Sequence, residues 1–327
     1  MTRATGIGSW PGVDPVAALR RIRDLLADGH LPYLPELPAR GPGAEAIGRG
    51  AALLVDLPVE LTPSGWRHAD APGRDAARAR GYLRRDLDAL AEEFDGYAGD
   101  LKIQITGPWT LAASVELPRG ERTLTDPGAV ADLIESLADG VSAHLAEVSR
   151  LVPGARVVVQ VDEPSLPAVL AGRLPTASGY GRVRAVEAQR ALLGLAQVLD
   201  AVAGADPVVH CCDKDVPLAL LRRAGARGVA VDVALLGGAS WESVAASVEE
   251  GLTLYAGCLR PDGSTDAAAA AAALTGPWSD LGLEPRRLDD VLVTPACGIP
   301  VLSPDEAERV TRRSIDVAAR LTELARG

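Results

Sequence analysis

Apolar residues recur along the chain in two alternating patterns. Short continuous runs rich in Val, Ile and Leu occupy residues 4–9, 31–34, 101–106, 155–161, 207–211, 228–233, 252–256 and 290–294. Runs of this kind predict strands buried on both faces. Between them, apolar positions return every three or four residues over 15–26, 76–94, 127–151, 185–203, 216–224, 241–250, 266–274 and 303–325. That spacing predicts amphipathic helices. The last stretch opens on Ser303, Pro304 and Glu306. This is the pattern of an N-cap, a proline at the first helical position and a capping box. Eight strands, each followed by a helix, predict an α/β protein built as a (β/α)8 TIM barrel. An open doubly wound sheet is the alternative. The eight units disfavour it, as does the lack of a phosphate-binding glycine fingerprint after the first strand. The longest irregular segments, 35–50 and 112–126, both follow strands, which places them at the catalytic end of a barrel. No linker or repeat interrupts the pattern, so residues 1–327 read as one domain.

Composition narrows the class. Of 327 residues, 47% are hydrophobic and 24% charged, as in a soluble globular protein. A net charge of −11 argues against nucleic acid or an anionic membrane as partner. No apolar stretch reaches membrane-spanning length, and residues 5–10 are too short and glycine-rich for a signal peptide. A cytoplasmic location is the expectation. Four cysteines, two of them adjacent, do not form the pattern of a disulfide framework; free thiols or a metal site fit better.

The candidate chemistry lies at the ends of the apolar runs. In His210-Cys211-Cys212 the first and third side chains share a face of the strand, and Cys211 points the other way. A His nitrogen and a Cys sulfur side by side, with Cys297 from another strand end, suit Zn²⁺. Three protein ligands leave the open position typical of a catalytic zinc. The alternative is that the cysteines fill a core as small apolar residues. Functional groups of a barrel belong at the C-terminal ends of its strands. The pattern puts Gly8-Ser9, Glu36, Gly107-Pro108, Asp162-Glu163-Pro164, His210 with Cys212, Asp232, Cys258 and Cys297 at those ends.

Five segments together carry a resemblance. They are Ile7-Gly8-Ser9-Trp10-Pro11, Gly107-Pro108-Trp109-Thr110, Gln160-Val161-Asp162-Glu163-Pro164, His210-Cys211-Cys212 and Pro295-Ala296-Cys297-Gly298. In this order the chain resembles the catalytic barrel of the cobalamin-independent methionine synthase family, within the wider group of uroporphyrinogen-decarboxylase-like barrels. The resemblance implies a zinc-dependent methyltransferase that makes methionine from homocysteine. It implies His210, Cys212 and Cys297 as zinc ligands. It makes Asp162 the catalytic-site carboxylate that holds the homocysteine amino group. Ser9, with the backbone around Ile7 and Gly8, would bind the amino acid's carboxylate. Glu36 would be a second carboxylate at the amine, or else a solvated loop charge; loop capping is the other reading of Asp162 and Glu163.

The chain also departs from the family. Where the family has a fourth ligand, a Glu after the sixth strand, this chain has Asp232. An Asp there coordinates, binds through water, or orients His210. Cys258 reads as core filling. Trp10 and Trp109 read either as apolar walls for a methyl donor or as ordinary packing. Long family members carry a second, N-terminal barrel and use a methyltetrahydrofolate, whereas this sequence opens directly on the catalytic barrel. The expected donor is therefore a methylated corrinoid protein or methylcobalamin. Two other functions stay open: a methyltransferase with another thiol acceptor, and a non-catalytic zinc-binding barrel.

Overall fold

The computed structural model describes residues 1–327. Its strands are β1 (Arg3–Ala4), β2 (Val59–Thr62), β3 (Gly65–His68), β4 (Asp100–Thr106), β5 (Arg156–Asp162), β6 (Asp206–His210), β7 (Gly228–Asp232), β8 (Thr253–Leu259) and β9 (Leu292–Pro295). Its helices are α1 (Pro15–Leu26), α2 (Ala46–Leu53), α3 (Arg74–Glu93), α4 (Pro108–Ser114), α5 (Pro127–Leu151), α6 (Leu166–Leu170), α7 (Ala188–Asp200), α8 (Leu218–Arg223), α9 (Gly238–Glu249), α10 (Ala267–Asp280) and α11 (Pro304–Arg326). None is long and apolar enough to cross a membrane.

Seven strands form one parallel, curled sheet in the order β1-β9-β8-β7-β6-β5-β4. The expected eight-strand ladder is corrected here: the run 31–34 forms no strand. Pro32 and Pro35 supply no backbone N–H, so a continuous ladder cannot form along that segment. It nevertheless lies between the two edges of the sheet. Leu31 N–H donates to Ala4 O (3.0 Å), Lys102 N–H to Pro32 O and Leu34 N–H to Lys102 O (both 2.9 Å). Isolated bridges join Tyr33 to Lys102 and Ser9 to Glu36. The first run is likewise mostly irregular, with only β1 laddered against β9.

Alternation along the strands sorts the core into two layers. Leu101, Ile103 and Ile105 of β4, and Val157, Val159 and Val161 of β5, face outward into the main cluster of 85 buried residues, which the helices cover. The inner face holds a cluster of only seven: Ile7, Leu31, Val158, Val208, Ala230, Tyr255 and Leu292. That inner cluster is small because the layers above it are polar, with Lys102, Gln104, Thr106, Gln160, His210 and Thr294 all buried. Parallel register sets Thr106, Asp162 and His210 side by side at the C-terminal ends of β4, β5 and β6.

Two features escape the apolar pattern. The antiparallel β2–β3 hairpin has a single buried residue per strand, so its alternation is weak. Helix α2 begins inside the segment 35–50, expected to be irregular, and runs past its end; its Gly48 and Gly50 lower helix propensity, and its placement comes from burial instead.

Candidate metal centre

The strand ends converge on one group of ligand atoms. Imidazole nitrogen of His210 and the sulfurs of Cys212 and Cys297 all lie within 4.8 Å of one another. His210 ends β6, and Cys212 follows it on the same inward side. Cys297 stands two residues beyond the end of β9. His210 is buried, whereas both cysteines are partly open to solvent. Cys211 points outward into the main core, and Cys258 is buried there too. Those two thiols are raised to about 12 by burial, which leaves them inert.

The donor set fits a metal such as zinc. His210 Nδ1 lies 3.1 Å from Asp162 Oδ1, while His210 Nε2 is buried with no hydrogen-bond partner. A buried imidazole nitrogen without a partner costs free energy unless something accepts its lone pair. Burial works against a charge on His210, but the bond and charge of Asp162 outweigh it and raise its pKa. Cys212 and Cys297 perturb one another. Cys297 is held below the ordinary thiol range by Cys212 at its side and by His210, and Cys212 is pushed above it. One thiol of the pair thus gives up its proton readily, as a metal ligand must.

Asp232 is not part of this group. Its carboxylate accepts the Ala234 N–H (2.9 Å) and caps the short turn of helix that follows β7. Of the three expectations for Asp232, the geometry gives neither direct membership of the ligand group nor a contact that orients His210, whose carboxylate partner is Asp162. An Asp at a strand end satisfies the next turn's free N–H groups with its short side chain, and this one does so.

Beside the ligand group lies a second cluster. The Ser9 hydroxyl donates to Glu36 Oε2 (3.2 Å), and the Ser9 N–H makes no hydrogen bond within the protein. Glu36 is no solvated loop charge: it is 3% exposed, and Arg49 Nε stands 3.6 Å from its other oxygen. Burial raises Glu36 to about 7, with Arg49 opposing and the nearby charge of Asp162 adding to the shift. Asp162 Oδ1 also receives Gln160 Nε2 (2.7 Å), and Asp162 Oδ2 takes no bond from the protein. Gly8 is required at its position. Its φ is +157°, and a Cβ there would sit 2.8 Å from the Gln104 side chain. The Ile7 carbonyl accepts from Lys102 Nζ (2.9 Å) and Gln160 Nε2 (2.7 Å). Both lone pairs of that oxygen are in use.

Three other sequence candidates are placed elsewhere. Glu163 is fully buried and accepts Trp109 N–H, Thr110 N–H and the Thr110 hydroxyl (each 2.8 Å), anchoring α4. Burial raises it to about 7. Trp109 donates from Nε1 to Ala191 O (2.9 Å), and both Trp109 and Trp10 are buried members of the main core cluster. Lys102 was not singled out by pattern. Its signal was a lone charge inside an apolar run, in a chain with only one other lysine, Lys214.

Comparison with known proteins bears on this arrangement. The family model for the catalytic domain of cobalamin-independent synthase matches residues 95–320. No curated protein matches the chain. Among solved structures, a B12-independent methionine synthase from Shewanella sp. W3-18-1, in complex with selenomethionine, is similar in fold. The identity is 12% and the TM-score 0.52, over 73% of this chain and 66% of that one. This chain thus spans just under two thirds of that structure's length. A GH5_18 protein from Streptomyces cattleya in complex with GlcNAc follows, at 16% identity and a TM-score of 0.49, over 99% of this chain and 80% of that one.

Proposed function

The chain belongs to the cobalamin-independent synthase catalytic-domain family, a family of methyltransferases, and on that premise we propose that it methylates the thiol of homocysteine to give methionine. The observation that carries this reading is the His210, Cys212 and Cys297 group, its ligand atoms within 4.8 Å of one another beside Asp162. We read the frame as a (β/α)8 barrel whose eighth position is the segment 31–36, and residues 1–327 as one zinc-dependent methyltransferase domain.

His210, Cys212 and Cys297 would hold a zinc ion through one nitrogen and two sulfurs, leaving one position for the substrate. A bound zinc would supply a thiol stripped of its proton at neutral pH, which is the nucleophilic form. The protein's own groups then orient the amino-acid end. Asp162, with Oδ2 free, and Glu36 receive the ammonium group. The Ser9 N–H and the backbone at Gly8 receive the carboxylate. Holding both ends fixes the sulfur for attack in line on a methyl group, and such positioning supplies much of the acceleration. Asp232 stays outside the ligand set in this reading. The family's cobalamin-independent designation gives no support to the expected corrinoid donor, so the proposal is confined to the acceptor.

The test is methionine formation from homocysteine by zinc-loaded protein, with methyltetrahydrofolate and methylcobalamin offered in parallel. Cys297→Ser is expected to lose both zinc and turnover. A variant that loses the metal yet keeps full activity would remove zinc from the mechanism, and a protein that fails to bind homocysteine would end the methionine assignment.

A further inference from the structure

Beneath the ligand group, a line of side chains runs down the inner face of the sheet, and nothing in the proposed reaction uses its lower half. Lys102 of β4 and Gln160 of β5 are each fully buried. Lys102 Nζ donates to Gln160 Oε1 (2.7 Å) and to Ile7 O (2.9 Å) and stands 5.2 Å from the centre of the Tyr33 ring. Gln160 Nε2 donates to Ile7 O and to Asp162 Oδ1, both at 2.7 Å. Asp162 Oδ1 also meets His210 Nδ1 at 3.1 Å. At the top of the line, His210 Nε2 is buried and unpartnered.

Chemistry fixes the direction of each bond. A carbonyl oxygen only accepts, so the Gln160 atom beside Ile7 O has to be the amide nitrogen. The Lys102 amine points its N–H groups at two oxygens, so the other Gln160 atom has to be its carbonyl. These two constraints agree. They leave the second hydrogen of Gln160 Nε2 aimed at Asp162. A carboxylate oxygen has no hydrogen to give, so across the 3.1 Å contact His210 is the donor and carries its proton on Nδ1. Its lone pair is then on Nε2, on the side away from Asp162.

We propose that Lys102 and Gln160 are positioning residues for the metal centre: acting through Asp162, they fix the tautomer and ring orientation of His210 so that Nε2 is offered to the ion. The inference rests on the metal reading of the His210, Cys212 and Cys297 group and extends it downward by two residues. Side chains that orient a ligating histidine tune metal affinity although they never touch the metal. Burial makes the series rigid, because breaking one bond leaves a polar atom unmet with no water to replace it. Strand alternation explains how it is built. Gln160 and Asp162 are two apart on β5 and share its inner face, and register places His210 opposite Asp162.

The decisive variant is Gln160→Glu. It keeps the volume and the acceptor for Lys102 but removes the N–H groups facing Asp162 and Ile7. Zinc affinity, measured by competition with a chromophoric chelator, is expected to weaken about ten- to hundredfold, with a shifted d–d spectrum for bound Co²⁺. Lys102→Met is expected to act the same way, and should it fail to fold, Gln160→Glu decides. Val158→Ala, a truncation in the inner apolar cluster, is the control for loosening alone: a lower thermal midpoint with unchanged zinc affinity. If Gln160→Glu binds zinc as tightly as the wild type and its Co²⁺ spectrum is the same, the positioning role is overturned. A wild-type protein that binds no zinc would overturn the metal reading itself, a different result from the first.

Discussion

Glu36 shows how much a single residue's surroundings decide. From sequence, its placement after a proline-broken run left a solvated charge and a site carboxylate equally open. Burial settles the first question: the side chain faces Ser9, Arg49, Lys102 and the charge of Asp162, and its pKa rises from an ordinary 4.5 to about 7. A carboxyl raised in the fold binds its proton more tightly there than in the unfolded chain. Its contribution to stability is therefore complete below about pH 4.5 and is lost as pH rises through about 7. Lys102, lowered by burial to about 7, has the opposite sign, its contribution being lost as pH falls through that value. We expect the urea midpoint of the chelator-treated wild type to carry a falling component between these limits that Glu36→Gln lacks. Parallel midpoint curves for the two proteins would show that Glu36 is not protonated on folding. His210 and Cys212 were legible because two-residue spacing on a strand is a local rule. The same rule pairs Gln160 with Asp162 on β5, but the contacts of Lys102 with Gln160 and of both with the Ile7 carbonyl join distant segments, and no local rule supplies them.

At the scale of elements, continuous runs of Val, Ile and Leu located β4 to β9, and the Ser303 capping box located the start of α11. The segment 31–34 has the same apolar content but fails as a strand, because prolines remove the hydrogen-bond donors that a ladder needs. Helix α2 is the reverse case: a helix set by packing against its propensity. It carries Arg49, which pairs with Asp86 and approaches Glu36, so its placement reaches the site. Gly140 of α5 makes that placement possible, since a Cβ there would lie 1.8 Å from Leu53 O at the end of α2. Gly140→Ala must therefore push the two helices apart. We expect destabilisation of about 1–3 kcal/mol in urea unfolding, as for other overpacked contacts. A fully retained midpoint would mean that α2 can yield without cost, and that Arg49 is not held by this contact.

Across the whole molecule, the metal group joins chain segments that are far apart. His210 ends β6 and Cys212 follows it, while Cys297 follows β9 after two further strands of the sheet. An ion bound to all three exists only where the sheet has curled to bring them together, so binding couples to folding of the entire sheet rather than of one hairpin. Linkage then sets the size of the effect. Free zinc at a hundredfold excess over its dissociation constant stabilises the folded state by about 2.7 kcal/mol, and removal by a chelator returns it. In Cys297→Ser the increment is expected to vanish. That position is partly open to solvent, so the variant's melting curve in chelator should stay near the wild type's. The pair of measurements separates two roles that one activity assay would merge. A variant that melts early in chelator reveals a cysteine needed for packing. One that melts normally but gains nothing from zinc reveals a ligand. Should zinc raise the midpoint of Cys297→Ser as much as that of the wild type, the ion sits elsewhere and the convergence of these strand ends serves some other end.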